Sequence, residues 1–295
     1  MTRKGEDRMT LPQFPYLSQH EWRYFDDANH VPALPASDSL AYQDSFIRWL
    51  PHLQGDQAQG IVHFYSIDKP TVLLGAKDSR LPNLAAGLAY LEDQGFDYAL
   101  RPHGGLGVVC DPGILNIGLA SDLTHFPLSI DAAYEQMVAL IGLSLMPYGL
   151  ELEAYEIAQS YCPGTYDLVV GGQKIGGIAQ RRFKTGLTTA AYISVAGDQA
   201  ARAQLMAGFY QAAGADDSYP KVDPAVMTTL AHACGQPLNR QTYQEELIQL
   251  ISHYQKLVPG DYQDPDLVPI FTKMRQVSLA RTQSLKSEVN SKPDS

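Results

Sequence analysis

SYCPGTYDLVVGGQKIGGIAQRR, from Ser160 to Arg182, carries two β-rich runs on either side of a Gly-Gly pair. YDLVV and QKIGGIAQRR read as strands, and Gly171-Gly172 supplies the two positive-φ positions that a two-residue hairpin turn demands. Pairing outward from that turn sets Val170 against Gln173 and Val169 against Lys174. Ahead of the hairpin, Pro163 and Gly164 cannot extend a regular element, so Cys162 lies on a loop that leads into a strand. The thiol is not opposite the lysine in this register. Contact between them requires the Cys-Pro-Gly loop to fold back across the hairpin, and the ammonium would then favour the reactive thiolate.

The same reading extends in both directions. ELEAYEI before the loop and LTTAAYISV after the hairpin complete a β-rich block from Glu151 to Val195. Upstream, IVHFYSI (Ile61 to Ile67) and PTVLLG (Pro70 to Gly75) read as a strand pair around a polar turn. LPNLAAGLAYLEDQG (Leu81 to Gly95) has helical spacing and a glycine stop. DYALRP enters the glycine-rich HGGLG as a strand, and GILNIGLA (Gly113 to Ala120) is another. Ser129 opens a long helix that runs to about Met146, where Pro147 interrupts it. After Val195 the pattern is helical, over about 198–213, 224–233, 240–257 and 265–281. Strands mixed with helices, followed by helices alone, predict an α+β catalytic domain over 14–214 and a helical C-terminal extension over 215–280. The polar segments 1–13 and 281–295 read as flexible tails.

Composition narrows the function classes. Of 295 residues, 45% are hydrophobic, enough for a full core, and the formal net charge is −10. Such a balance argues against a general nucleic-acid or anionic-membrane binder. Cys110, Cys162 and Cys234 are odd in number, with no CxxC, which argues against a disulfide framework or cysteine-rich zinc site and fits a reducing cytoplasm. MTRKGEDRMTLPQ lacks the apolar core of a signal peptide, and no run of about 18 apolar residues predicts a membrane span.

Free cysteines are usually small buried hydrophobes, which suits Cys110 in LGVVCD and Cys234 at a helix end. Cys162, on a loop, is the candidate nucleophile. HGGLG (His103 to Gly107) offers unobstructed backbone N–H groups to a ligand oxygen, or is simply a tight turn. A Cys-His hydrolase would need a base, and spacing does not favour His103 over His63 or His125.

Taken together, these segments resemble a known family. RPHGGLGVVCDPGILNIGLA (Arg101 to Ala120) is similar to the arginine-plus-glycine-loop signature of the lipoate ligase, biotin ligase and octanoyltransferase superfamily, where such a run ends in Leu-Asn. YDLVVGGQKIGGIAQRR resembles its second signature, a lysine before a small-residue strand. LGAKDSRLPNL (Leu74 to Leu84), GGL in place of GGG, and SYCPG-x-YDL resemble the branch that takes octanoyl groups from the glycine cleavage H protein. Leu106, where the ligases have a third glycine, departs from adenylate binding; Gly107, often alanine in this branch, is a small departure.

The resemblance implies the mixed β-sheet fold of the biotin/lipoate ligase type. It places the acyl-thioester on Cys162, the role of favouring the thiolate on Lys174, and substrate binding on Arg101, Gly104, Gly105 and Leu106. The implied donor is octanoylated glycine cleavage H protein, and the implied acceptors are lipoyl domains of 2-oxoacid dehydrogenase E2 subunits. No metal, cofactor, nucleic acid or membrane is implied. Alternatives within the same superfamily are an octanoyltransferase with acyl carrier protein as donor and a lipoate–protein ligase; from a different class, the alternative is a noncatalytic acyl-protein binding module. An octanoyl chain of seven carbons beyond the carbonyl would contribute about 5 kcal/mol on burial. Arg181, Arg182 and Lys184 form the basic run predicted to meet an acidic carrier.

Overall fold

The computed structural model describes residues 21–290 except 31, 54–58 and 125–126, so the first predicted tail lies outside the described residues. In chain order the N-terminal elements are β1 (Glu21–Asp26), α1 (Ala36–Trp49), β2 (Gln59–Phe64), β3 (Thr71–Leu74), α2 (Leu84–Asp93), β4 (Asp97–Leu100), β5 (Val108–Cys110), β6 (Ile114–Asp122) and α3 (Ile130–Leu145). There follow β7 (Glu153–Ala154), β8 (Asp167–Val170), β9 (Gln173–Phe183), β10 (Gly186–Ser194), α4 (Gln199–Ala212), α5 (Leu230–Cys234), α6 (Arg240–Tyr254), β11 (Leu257–Pro259) and α7 (Leu267–Asn290).

The Gly171-Gly172 hairpin forms as the sequence predicts. Both glycines have positive φ, at 56° and 79°, and the register pairs Val170 with Gln173 and Val169 with Lys174. At the third pair from the turn, Leu168 meets Gly176, which leaves Ile175 as one extra residue on β9. This bulge shifts the side-chain alternation, so Lys174 and Gly177 both line one cavity instead of opposite faces.

An eight-stranded mixed sheet runs in the order β11-β1-β2-β6-β10-β9-β8-β7, and a three-stranded sheet in the order β4-β3-β5. Helices α3 and α6 cover one face of the large sheet, where Met137, Ile141, Tyr243 and Leu247 pack on Val62, Ile117 and Leu187. On the opposite face, Phe46, Ile47 and Trp49 of α1 and Leu267 of α7 pack on Phe25, Ile61 and Ala120. The small sheet packs on α2 and α4 through Val72, Leu74, Leu88 and Phe209. Ser129 caps α3 by accepting the Ala132 N–H at 3.0 Å. Among the described residues, no helix is long and apolar enough to cross a membrane.

Three expectations need correction. IVHFYSI and PTVLLG do not pair with each other: β2 lies between β1 and β6, and β3 between β4 and β5 in the other sheet. Both strands are buried on both faces, which suits a central position with a neighbour on each side, and neither can serve as half of an isolated hairpin. The C-terminal extension is not purely helical, because β11 adds a parallel strand to β1. Nor is 281–290 a tail, for α7 continues to Asn290. Leu285 is fully buried, Thr282 accepts the Leu100 N–H at 3.1 Å, and Arg281 pairs with Asp44.

If α7 is integral past Arg281, Leu285→Ala should destabilise the protein by about 2–4 kcal/mol, the usual cost of truncating a buried leucine. Urea unfolding measures it, and a midpoint equal to the parent's would restore the tail.

Candidate active site

Arg101 leaves β4 with its N–H bonded to the Leu74 carbonyl at 2.9 Å, so the small sheet fixes the start of the glycine loop. Two close approaches hold the rest. A Cβ on Gly75 would stand 1.9 Å from the Gly105 carbonyl oxygen, and one on Gly105 would stand 2.7 Å from Arg101 Nη2 and 3.2 Å from Cys162 Sγ. Gly105 also has φ 96°, a conformation open to glycine alone. The loop thereby lies directly against the cysteine.

The Cys162 loop does fold back across the hairpin. Its sulfur faces the Leu106 N–H at 3.3 Å and Arg101 Nη2 at 3.5 Å, and the same Nη2 donates to the Leu106 carbonyl at 2.6 Å. Lys174 reaches the loop through a different atom: its ammonium donates to the carbonyl of Cys162, to Ser160 Oγ at 3.0 Å, and to Asp167 Oδ1 at 2.8 Å. An ammonium has three protons, and three acceptors are in place. The expected lysine–thiol contact is therefore a lysine–carbonyl contact. Burial pushes the Asp167 carboxyl up, against the pull of Lys174 and of the Ile157 N–H.

Neighbouring Tyr161 is locked from several sides. Its hydroxyl bonds to that of Tyr192 at 2.8 Å and to Gln199 at 3.1 Å, and its carbonyl accepts Tyr210 O–H at 3.1 Å. Gln199 continues through Ser194 to Arg202, which forks onto Asp111 with two bonds of 2.7 Å. Around these residues opens a cavity of about 530 Å³. Arg101, Gly104, Gly105, Cys162, Asp167 and Lys174 contribute to its wall, while Leu40, Leu73, Val108 and Ala190 give it an apolar part and Tyr65 and Asn116 a polar one. All the candidate residues except Leu106 line this cavity, and Leu106 touches it through the thiol.

The histidines do not form a Cys-His pair among the described residues. Burial, reinforced by Arg101, Arg181 and Arg281, pushes His103 down to about 3, so it stays neutral. His63 is held by Asp27 at 2.7 Å, and His125 lies outside the described residues. Cys110 is buried, which pushes its thiol up to about 12, and Cys234 bonds to its own helix at 3.6 Å. The basic run also differs from expectation. Arg181 is engaged by buried Asp44, and Arg182 donates to the carbonyls of Leu128 and Ser129 at 3.1 and 2.8 Å. Lys184 alone of the three is exposed.

Sequence reasoning passed over Asp167, whose signal is a lone acid opening an otherwise apolar strand, and gave no role to Asp78 within LGAKDSRLPNL. Asp78 is fully buried and accepts the Gly75 N–H at 2.7 Å, which holds that turn against the glycine loop.

Residues 35–252 match the lipoyl protein ligase A/B catalytic domain. An octanoyl-[GcvH]:protein N-octanoyltransferase of Geobacillus kaustophilus, GcvH being the glycine cleavage H protein, is 37% identical over 74% of this chain and 77% of its own. One of Bacillus velezensis is 36% identical over 82% and 84%. A lipoyl-[GcvH]:protein N-lipoyltransferase of Listeria monocytogenes is 34% identical over 86% and 93%. Among solved structures, a lipoate–protein ligase A bound with ATP superposes with a TM-score of 0.63 at 18% identity, over 88% of this chain and 94% of its own. A bipartite lipoate–protein ligase of Thermoplasma acidophilum gives 0.60 at 17% identity, over 90% and 97%. These two likenesses establish the mixed-sheet fold.

Desolvation raises Asp78 from 3.8 to about 6. The folded state therefore holds a proton in that window that the unfolded chain has released, and stability falls as pH rises through it. Asp78→Asn keeps an acceptor for Gly75 without the buried charge. It should be more stable than the parent by about 3 kcal/mol above pH 7, with the difference vanishing below pH 4. Urea titrations across pH check this, and a pH-independent difference would contradict it.

Proposed function

The chain belongs to the lipoyl protein ligase A/B catalytic-domain family, and we propose from that premise that it is an octanoyl amidotransferase. The donor is a lysine-bound octanoyl group on the glycine cleavage H protein, as the names of the relatives state for those proteins. The acceptor is a lysine on lipoyl domains of 2-oxoacid dehydrogenase E2 subunits. The observation that carries the reading is a single thiol on the cavity wall, faced by a backbone N–H and a guanidinium.

Cys162 Sγ attacks the amide carbonyl carbon, forming a C–S bond as the carbonyl opens to an oxyanion. Backbone N–H groups of the Gly104-Gly105 loop serve that developing charge. The C–N bond then breaks, and the donor lysine leaves as an amine after receiving a proton from Lys174. The acceptor lysine adds to the thioester and returns a proton to Lys174, and the C–S bond breaks to restore the sulfur. Amide is exchanged for amide, so the net free-energy change is about zero and mass action sets direction. Apolar burial of the chain holds the octanoyl group at about 0.8 kcal/mol per CH₂. Three free cysteines suit a reducing cytoplasm as the site of action.

Incubation with octanoylated H protein should add an octanoyl group to the intact mass, and hydroxylamine should remove it. Cys162→Ala should lose both adduct and transfer, by roughly 10³-fold or more, while Cys110→Ala and Cys234→Ala keep them within a few-fold. A lipoylated donor run in parallel decides which acyl group is preferred. Transfer surviving in Cys162→Ala would rule out the thioester.

A further inference from the structure

The C-terminal end of α1, the β9–β10 turn and the start of α7 enclose a second groove of about 610 Å³. Ile47, Phe183, Ile270 and Met274 supply apolar lining, and every ionisable group lining it is basic: Arg48, His52, Lys184 and Lys273. That purity of sign stands out on a chain of net charge −10. Arg48 stacks over Phe183 at 3.5 Å, and its buried Nε has no hydrogen-bond partner. Beside it, Arg181 and Arg281 both pair with the Asp44 carboxylate, so two guanidiniums share one acid and Arg48 is left without an ion pair of its own among the described residues. Lys184, at the turn, has φ 53° and is the only non-glycine residue with positive φ among those described. A left-handed backbone is disfavoured for lysine, and a glycine or asparagine would relax it. The turn keeps a cation there.

The groove and the acyl cavity share a face of the large sheet. Leu40 of α1 lines the cavity, whereas Ile47 and Arg48 of the same helix line the groove. Eight residues of helix separate Leu40 from Arg48, about 12 Å. Along β9, Ala179 lines the cavity and Phe183 the groove, four residues apart on the α1 side, about 13 Å.

We infer that this groove docks an acidic face of the acyl-carrying protein while its lysyl arm reaches Cys162. The inference rests on the amidotransferase reading, which requires a protein substrate to sit beside the cavity. Cations over an apolar floor match an acidic surface with apolar residues among its carboxylates. The acidic remainder of the chain disfavours an extended polyanion or an anionic membrane.

Lys184→Glu/Lys273→Glu, both at exposed positions, should lower kcat/KM for octanoylated H protein about tenfold at low salt. The two proteins should converge near 0.5 M salt, where the Debye length is a few ångströms. Octanoyl N-acetylcysteamine thioester, a small uncharged donor, should acylate Cys162 equally fast in both. Equal rates with H protein at low salt would overturn the docking surface, as would equal loss with both donors, or sedimentation with anionic vesicles that depends on these lysines. If the parent protein accepts octanoyl from neither donor, the amidotransferase reading itself fails, which is a different result.

Discussion

A buried ammonium organises this site. Lys174 carries its charge into a place that is almost dry, and its position is tolerable because three acceptors meet its three protons. One acceptor is a carboxylate on the preceding strand; the other two lie on the loop that bears Cys162. Removing any one leaves a charge or a polar group without its partner, at a cost that exceeds the net worth of the bond. The lysine therefore ties the Ser160–Cys162 segment to the β8–β9 hairpin, and the thiol direction follows from that tie. Charge near the sulfur itself comes from the other side, from Arg101.

Two sheets cooperate to make the arrangement. The large sheet supplies Asp167 and Lys174, the small one supplies Arg101 and the glycine loop, and the sulfur is where they meet. The bulge at Ile175 and the contact between Gly75 and Gly105 are the two local irregularities that allow it. The first turns Lys174 and Gly177 toward one cavity. The second lets backbone approach backbone closer than any side chain permits. Asp78 then holds the Gly75 turn in place, as a buried acid whose cost is accepted for position.

Sequence was most informative where structure is local. The hairpin register was readable because two glycines and two β-branched runs act within a dozen residues. The cap at Ser129 and the bounds of α2, α3 and α4 were readable for the same reason. Partner choice between distant strands was not, since β2 and β3 are neighbours in sequence yet each needs two other strands to cover its edges. The end of α7 looked like a tail because its composition is polar, with Leu285 and Val289 the only apolar residues in 281–290. Arg181 looked available because Asp44, its partner, is 137 residues away. At the site, residue types and the family resemblance singled out Cys162, Lys174 and the glycine loop, which meet at one cavity, but not which atom of the cysteine residue the lysine meets.

The pairing of α7 with α1 carries a consequence for biogenesis. Asp38 and Asp44 lie buried early in the chain, and Asp44 meets Arg181 137 residues on. Arg275, the partner of Asp38, and Arg281, the second partner of Asp44, are synthesised 237 residues after their acids. A ribosome thus releases the helix bearing both acids long before their counter-ions leave the exit tunnel. Until then the apolar face of α1 and its carboxylates have competing demands, burial for one and water for the other. Full neutralisation of the α1 acids awaits α7, so the nascent chain passes through an incomplete state that quality-control machinery can meet. Vectorial synthesis, more than the hydrophobic pattern, then sets when this protein becomes whole.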